Sequence, residues 1–208
     1  DINVAVEEQP SGNSTIAAGY SQSGGLTFQA GLSQSNFLGT GNQVNLSLSR
    51  SETLDSYNVG YTNPYFTPDG VSQSANLYAR KTKYDNKNIS NYVTDSYGVT
   101  LGFSYPIDET KSLSAGLNLD RTAIKAGRYL AVSNYDYLVE NGSVDTSKDN
   151  QGIPSFESEG FNTYGLNLGW NMNTLNRGRF PTKGMSHNVN LNLAFGDVTY
   201  QKMVYQGN

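Results

Sequence analysis

The feature that most constrains this chain is a period-two alternation of apolar and polar side chains that recurs along almost its whole length. The clearest alternating segments are residues 26–33, 44–49, 57–62, 97–105, 113–120, 164–173 and 189–195, and weaker ones are 14–20, 72–83 and 198–205. Successive side chains of a strand point to opposite faces, so each segment predicts a strand with one apolar and one polar face. The chain is expected to be all-β, with about ten antiparallel strands.

The composition of the polar face separates two classes of all-β protein. The polar positions are mostly Gly, Ser, Asn, Thr and Gln; the chain has 24 Asn, 23 Ser and 22 Gly, and only 15% of its residues are charged. Small uncharged side chains suit the lumen of a wide barrel, and an apolar face with aromatic residues at the strand ends suits lipid. We favour an antiparallel transmembrane β-barrel, with a water-soluble β-sandwich as the alternative.

The lengths of the connections indicate an orientation. Short turns rich in Gly, Pro, Asp and Asn are predicted near residues 39–42, 63–70, 106–111 and 177–184, and longer connections near 84–95 and 122–160. Outer-membrane barrels have short periplasmic turns and longer extracellular loops. The short turns and both ends of the chain are therefore expected on the periplasmic side.

The chemical inventory excludes several functions. The chain has no cysteine and a single histidine, His187, so we expect no catalytic cluster, metal site or cofactor. The net charge of -4 is unfavourable for binding nucleic acid. No apolar run approaches the roughly 20 residues that a transmembrane helix needs.

Three groups of motifs carry a family resemblance. The first group runs from Val4 to Gly12 and on to Ala18-Gly19-Tyr20. The second group consists of Phe28-Gln29-Ala30-Gly31, Asn36-Phe37-Leu38-Gly39-Thr40-Gly41 and Thr62-Asn63-Pro64-Tyr65-Phe66-Thr67-Pro68-Asp69-Gly70. The third group is Leu175-Asn176-Arg177-Gly178-Arg179-Phe180-Pro181-Thr182-Lys183-Gly184. In this order and spacing they resemble the BamA family of outer-membrane β-barrel assembly factors.

The resemblance implies a domain organisation. Residues 1–12 would be the end of the last POTRA domain and a linker, and residues 13–208 the N-terminal part of the barrel. About ten strands of a sixteen-stranded barrel would be present. The family's Val-Arg-Gly-Phe motif and the closing strands are expected beyond Asn208.

The resemblance also implies a function, that of an insertase in the outer membrane of a Gram-negative bacterium. Its partners would be nascent outer-membrane proteins, accessory lipoproteins of the assembly complex, membrane lipid and lipopolysaccharide. The first barrel strand would pair weakly with the last and open sideways, so that its backbone edge receives a substrate strand. The residues of this edge are Asn13, Ser14, Thr15, Ile16, Ala17, Ala18, Gly19 and Tyr20. The alternatives are a passive porin or structural barrel and a related translocator that secretes polypeptides.

Two turn motifs are the remaining candidate sites. They comprise Asn63, Pro64, Tyr65 and Phe66 in one turn, and Arg177, Gly178, Phe180, Pro181 and Gly184 in another. One interpretation is turn chemistry alone, because Pro restricts φ and Gly tolerates positive φ. The other is a contact to lipid head groups or to a periplasmic partner. Pro181 is expected to end strand pairing and Gly184 to restart it.

Overall fold

A computed structural model of the chain describes residues 11–22, 25–82, 92–126, 142–145, 155–158 and 160–207. The described residues form twelve strands: β1 Gly12–Ser21, β2 Gly25–Gln34, β3 Gln43–Arg50, β4 Leu54–Asn63, β5 Ser72–Thr82, β6 Tyr92–Asp108, β7 Lys111–Ala126, β8 Gly142–Asp145, β9 Ser155–Ser158, β10 Phe161–Asn173, β11 Ser186–Gly196 and β12 Tyr200–Gly207. One 3-10 turn, Phe37–Gly39, lies between β2 and β3. No described helix is long and apolar enough to cross a membrane.

Ten of the strands form one antiparallel meander in the order β1-β2-β3-β4-β5-β6-β7-β10-β11-β12. The ten strands expected from the alternation are thus confirmed. The other two, β8 and β9, pair with each other, and β9 adds two residue pairs to the end of β7. Within the described chain, β1 pairs only with β2 and β12 only with β11.

The register keeps one kind of side chain on each face of the sheet. Leu46 of β3 lies opposite Leu32 of β2 and Val59 of β4. The same row continues through Leu77, Val99, Leu119, Tyr164 and Phe195. On the other face, the row through β3, β4, β5, β6, β7 and β10 is Asn45, Gly60, Asn76, Thr100, Asn118 and Gly165. A shift of one residue between any two strands would mix the faces, so the alternation selects this register.

The apolar face is not covered by a second layer. Among the described residues the only buried apolar residue is Ala194, at 3% exposure, and no large side chain is fully buried. Leu117, Leu168 and many other apolar-face residues are exposed. A soluble sandwich would bury this face against a second sheet. The sandwich alternative is therefore wrong, because this face has no protein partner in the described chain and suits lipid instead.

A hydrogen-bonded chain of side chains ties the middle strands together on the polar face. The Tyr78 hydroxyl donates to the Asp120 carboxylate over 2.5 Å, reaching across β6 above Gly98. The Asn118 amide also donates to Asp120, and the Asn167 amide donates to Asn118 over 2.9 Å. A Cβ at Gly98 would lie 2.3 Å from the Asp120 Oδ1 atom, so only glycine lets the tyrosine reach its partner.

Several expected boundaries are wrong, and one is the end of the connection expected near 84–95, because β6 already begins at Tyr92. The turn predicted at 106–111 is only two residues long, because β6 continues beyond Pro106 through a bulge between Pro106 and Asp108. The Asp108 carboxylate closes this turn by accepting a hydrogen bond from Thr110 N over 2.8 Å. The connection expected to begin at Thr122 begins after Ala126, because β7 stays paired with β6 as far as the Tyr92–Ala126 pair. This connection contains β8 and β9. The last strand begins at Tyr200, not Val198.

Residues 1–10 lie outside the described residues, so the assignment of 1–12 to the end of a POTRA domain and a linker stays a prediction.

Candidate functional site: the free strand edge and the turns

The first part of the candidate site is β1, which has a partner on one side only. Its ten residues, Gly12–Ser21, pair with β2 from Gly12 opposite Gln34 to Ser21 opposite Gly25. All ten are exposed, and Ile16 is 90% exposed. The eight residues predicted to form the pairing edge, 13–20, therefore lie together in one strand whose outer side is free in the described chain.

The hydrogen-bond pattern determines which backbone groups of β1 face that free side. Ser35 N donates to Ser11 O over 2.8 Å, which makes this directly opposed pair a hydrogen-bonded one. Hydrogen-bonded and non-hydrogen-bonded pairs alternate along an antiparallel ladder. The odd-numbered residues of β1 therefore bond to β2. The N–H and C=O groups of the even-numbered residues point to the free side, and these residues are Gly12, Ser14, Ile16, Ala18 and Tyr20.

Side-chain packing between β1 and β2 is sparse. Ile16 lies opposite Ala30, Thr15 opposite Gly31, and Gly19 opposite Thr27. A Cβ at Gly19 would meet no atom within 4 Å, and one at Gly31 would meet only Leu46 O at 3.8 Å. Unlike Gly98, these glycines are not required by a close neighbour. The strand is consequently held to β2 mainly by backbone bonds, with little help from the cross-strand contacts that stabilise sheets.

The turn between β4 and β5, residues 64–71, is closed by its own backbone and side chains. The Asn63 Oδ1 atom accepts from Tyr65 N over 3.1 Å, Phe66 N donates to Val71 O over 2.9 Å, and Gly70 adopts a positive φ of 82°. The Phe66 ring packs against Phe103 of β6 with centroids 5.8 Å apart, whereas Tyr65 is 81% exposed. Hydrogen bonds thus close this turn, the Phe66 ring is held against Phe103, and the Tyr65 ring is exposed.

The turn between β10 and β11, residues 174–185, is tied by Asn176. The Asn176 Oδ1 atom accepts from Thr182 N over 3.1 Å and Lys183 N over 3.2 Å, and its Nδ2 donates to Thr182 Oγ1 over 3.0 Å. Phe180, at the tip, has a left-handed φ of 52° and is 88% exposed. Strand pairing ends at Asn173 and restarts at Ser186. The expectation that pairing ends at Pro181 and restarts at Gly184 is therefore wrong. The reason is that Thr174 and Met185 close the turn directly beyond the strand ends, by three hydrogen bonds.

A family assignment follows from comparison with known proteins. The profile of the Omp85 superfamily domain matches residues 36–208, which is most of the chain. The chain belongs to the Omp85 superfamily. The match covers β3 to β12 and both turn motifs.

Relatives within the Omp85 superfamily agree with this assignment. The outer membrane protein assembly factor BamA of Neisseria meningitidis serogroup B is 29% identical over 196 residues, or 93% of this chain. BamA of Buchnera aphidicola is 25% identical over 124 residues, or 60% of the chain. The crystal structure of BamA from Haemophilus ducreyi lacking POTRA domains 1–3 superposes with a TM-score of 0.69 at 30% identity and covers 95% of the chain. The expected resemblance to BamA is confirmed.

The chain spans only part of these Omp85 proteins: 24% and 20% of the two sequence relatives and 37% of the solved chain. The relatives and the fold place it in an outer-membrane β-barrel protein of a Gram-negative bacterium, as the family resemblance implied. Both sequence relatives are named as outer membrane protein assembly factors. The described residues contain no group of His, Cys, Asp and Glu side chains that could hold a metal ion.

The structure adds residues that sequence reasoning missed in this Omp85 chain. Asn176 organises the second turn, although the sequence predicts no separate role for it; the local signal for such a role is Asn176 followed two residues later by Gly178. Leu38, in the turn between β2 and β3, has a φ of 52° and is 82% exposed. Phe180, in the turn between β10 and β11, has the same φ and is 88% exposed. Three of the four described turns at this end of the sheet therefore each present one large apolar side chain that is at least 81% exposed: Leu38, Tyr65 and Phe180.

Replacing Gly184 with alanine is expected to destabilise the folded barrel by about 1–3 kcal/mol. The residue has a φ of 98°, and an added Cβ would lie 2.1 Å from Thr174 O, a backbone atom. Gly178→Ala in the same turn is the matched control, because a Cβ there meets nothing within 4 Å. The free energy of unfolding from lipid vesicles measures both changes in the intact protein. Equal values for the two variants would contradict the assigned turn geometry.

Proposed function

We propose that the protein containing this chain inserts other β-barrel proteins into the outer membrane, with the outer edge of β1 as the template for a substrate strand. The observation that carries this proposal is the free edge of β1, together with packing space against β2 that is left unfilled at Gly19 and Gly31. The names of the relatives support the same activity.

The proposed mechanism uses main-chain groups. An unpaired N–H or C=O group is costly to leave unsatisfied in lipid, so a strand that pairs with it is stabilised. The outward groups of Ser14, Ile16 and Ala18 form such a row. Strand addition to this row is recognition through the backbone, and it tolerates many substrate sequences. The activity is assembly by strand pairing, without a bond-breaking step.

Weak attachment of β1 is the second requirement of the mechanism. A seam that opens sideways needs a strand that can leave its closing partner and shift on its remaining neighbour at little cost. The Ile16–Ala30 and Gly19–Thr27 pairs contribute little side-chain contact. The middle of the sheet differs, since the Tyr78–Asp120–Asn118–Asn167 chain links side chains of β5, β7 and β10 across β6. Movement is therefore concentrated at β1.

The proposed partners are nascent outer-membrane proteins at the β1 edge and accessory lipoproteins on the periplasmic side. Lipopolysaccharide is proposed at the opposite end of the sheet, where Arg50, Arg80, Lys81 and Arg121 lie near the strand ends.

A cysteine at Ala17 tests the template directly. In the intact protein, Ala17→Cys is expected to form a disulfide with a cysteine in the terminal strand of a substrate barrel stalled during assembly. Ser47→Cys is the matched control: Ser47 lies on the same face but in β3, which has a partner on both sides. The measurement is the yield of cross-linked product on a gel.

Two results would contradict the template. Cross-links from Ala17→Cys only to the protein's own barrel, whatever the substrate, would favour a passive barrel. Cross-links distributed along a substrate chain from lumenal positions such as Ser47→Cys would favour a polypeptide-secretion translocator.

A further inference from the structure

The turn between β10 and β11 concentrates positive charge at one end of the sheet. Arg177, Arg179 and Lys183 are all exposed, and within the described residues no carboxylate forms an ion pair with them. The end of β6 and the neighbouring turn between β6 and β7 hold Asp108 and Glu109, but Asp108 is already paired with Lys111 at 3.1 Å. The turn therefore offers three cationic side chains to a ligand at the membrane surface.

The tip of this turn is held in a conformation that costs energy. Phe180 adopts a φ of 52°, a region that a bulky side chain rarely occupies. Asn176 bonds to Thr182 and Lys183 and so fixes the tip between them. Glycine or asparagine would fit this conformation more cheaply, yet the chain places an exposed phenyl ring there. Strain retained at an exposed position of this kind points to a role for the ring.

An apolar groove lies on the apolar face of the sheet, near the ends of β10 and β11 that this turn joins. It has a volume of about 470 Å³ and is lined by Phe103, Tyr105, Leu113, Leu168, Trp170 and Val189. These residues belong to β6, β7, β10 and β11. Trp170 is three residues before the end of β10, which is roughly 10 Å along the strand. The groove thus begins at the depth of the first acyl carbons when the turn lies at the head groups.

We propose that the turn and the groove together bind an anionic phospholipid of the periplasmic leaflet. The phosphate contacts Arg177, Arg179 and Lys183, one acyl chain occupies the groove, and the Phe180 ring inserts between head groups. Charge complementarity selects an anionic lipid, because cationic side chains near a membrane surface attract anionic head groups. The aromatic rings of Tyr105 and Trp170 lie where such residues are enriched in membrane barrels. This site is separate from the β1 edge.

Trp170 provides the probe, since it is the only tryptophan of the chain. The intact protein, with tryptophans outside this chain replaced by phenylalanine, is reconstituted into phosphatidylcholine vesicles. These vesicles contain a minor fraction of either brominated phosphatidylglycerol or brominated phosphatidylcholine. Bromine quenches a tryptophan only at contact, so the two quenching curves report the relative affinity of the groove for the two lipids. We expect a preference for phosphatidylglycerol of about fivefold or more at low ionic strength.

The variants assign that preference to the turn. The triple change Arg177→Gln, Arg179→Gln and Lys183→Gln is expected to reduce the preference to near onefold, while quenching by phosphatidylcholine stays unchanged. The matched control removes three cations at the opposite end of the sheet, by Arg50→Gln, Arg80→Gln and Lys81→Gln, and keeps the preference. Phe180→Gly, which relieves the left-handed strain, is expected to keep a folded turn and lower the preference in part.

Several outcomes would overturn the site. They are equal quenching by both lipids in the unmodified protein, a preference that survives the triple change, or an equal loss in the control. Salt gives a test that needs no variant: screening shortens from about 30 Å at 0.01 M to 3 Å at 1 M, so a salt-independent preference would also refute the site. If the turn instead binds a periplasmic protein, the unmodified protein shows no lipid preference.

Discussion

Proline at position 16 or 18 is expected to abolish the insertion of other barrels by the intact protein, whereas Ile16→Ala stays active. Both positions have their N–H on the free side of β1, so proline removes a donor of the template edge without removing a bond to β2. Alanine at position 16 loses lipid contact but keeps every backbone group. The measurement is the rate of assembly of a substrate barrel in vesicles, at matched amounts of folded protein.

Along β1, residues that bond to β2 alternate with residues that face the free side, and this alternation supplies a control for the proline variants. Ala17→Pro removes an N–H that bonds to β2, so it is expected to impair pairing of β1 with its own neighbour and to lower the yield of folded protein. Ile16→Pro and Ala18→Pro are expected to fold in better yield than Ala17→Pro and still fail in assembly. If folded Ile16→Pro and Ala18→Pro proteins support assembly at the normal rate, the edge of β1 is not the template.

Leu168→Arg is expected to destabilise the barrel by roughly 2–4 kcal/mol, because it places a charge on the lipid face at the depth of the membrane. Leu168 pairs with Leu191 and Ala115 on the apolar face. Asn167→Arg, one residue away, points to the polar face and is expected to cost about 1 kcal/mol through loss of the 2.9 Å bond to Asn118. Unfolding of both variants from vesicles measures the difference. Equal destabilisation would contradict the assignment of the two faces.

The division into two faces was readable from the sequence in every strand of the meander. Leu46, Val59 and Leu77 lie in one row on the apolar face. They do so because side chains alternate between the two faces with a period of two residues, which is a local property of each strand. The small uncharged residues opposite an apolar stripe also favoured a membrane barrel, but only the structure, in which no second sheet covers the apolar face of the described chain, excluded the soluble sandwich. The positions of the turns followed from Gly, Pro and Asn for the same local reason.

Element ends and long-range partners were not readable in this way. Pro106 predicted a turn, yet β6 passes it on a bulge whose existence depends on pairing with β7. The strands β8 and β9 lie in a segment without clear alternation and exist through their pairing with each other and with β7. The Tyr78–Asp120 bond joins residues 42 positions apart and needs Gly98 between them, which no local pattern encodes.

For the candidate sites, the sequence by itself identified β1 as a strand of small residues, and it identified the two turn motifs. The tertiary structure decided which main-chain groups of β1 face outward. That choice depends on the hydrogen-bonding parity with β2, and the side-chain period of β1 is the same for either parity. It also decided that the turn with the three cations joins two of the four strands that line one apolar groove. Side-chain alternation is a property of each strand alone, whereas hydrogen-bond parity and grooves arise only when strands distant in sequence are placed side by side.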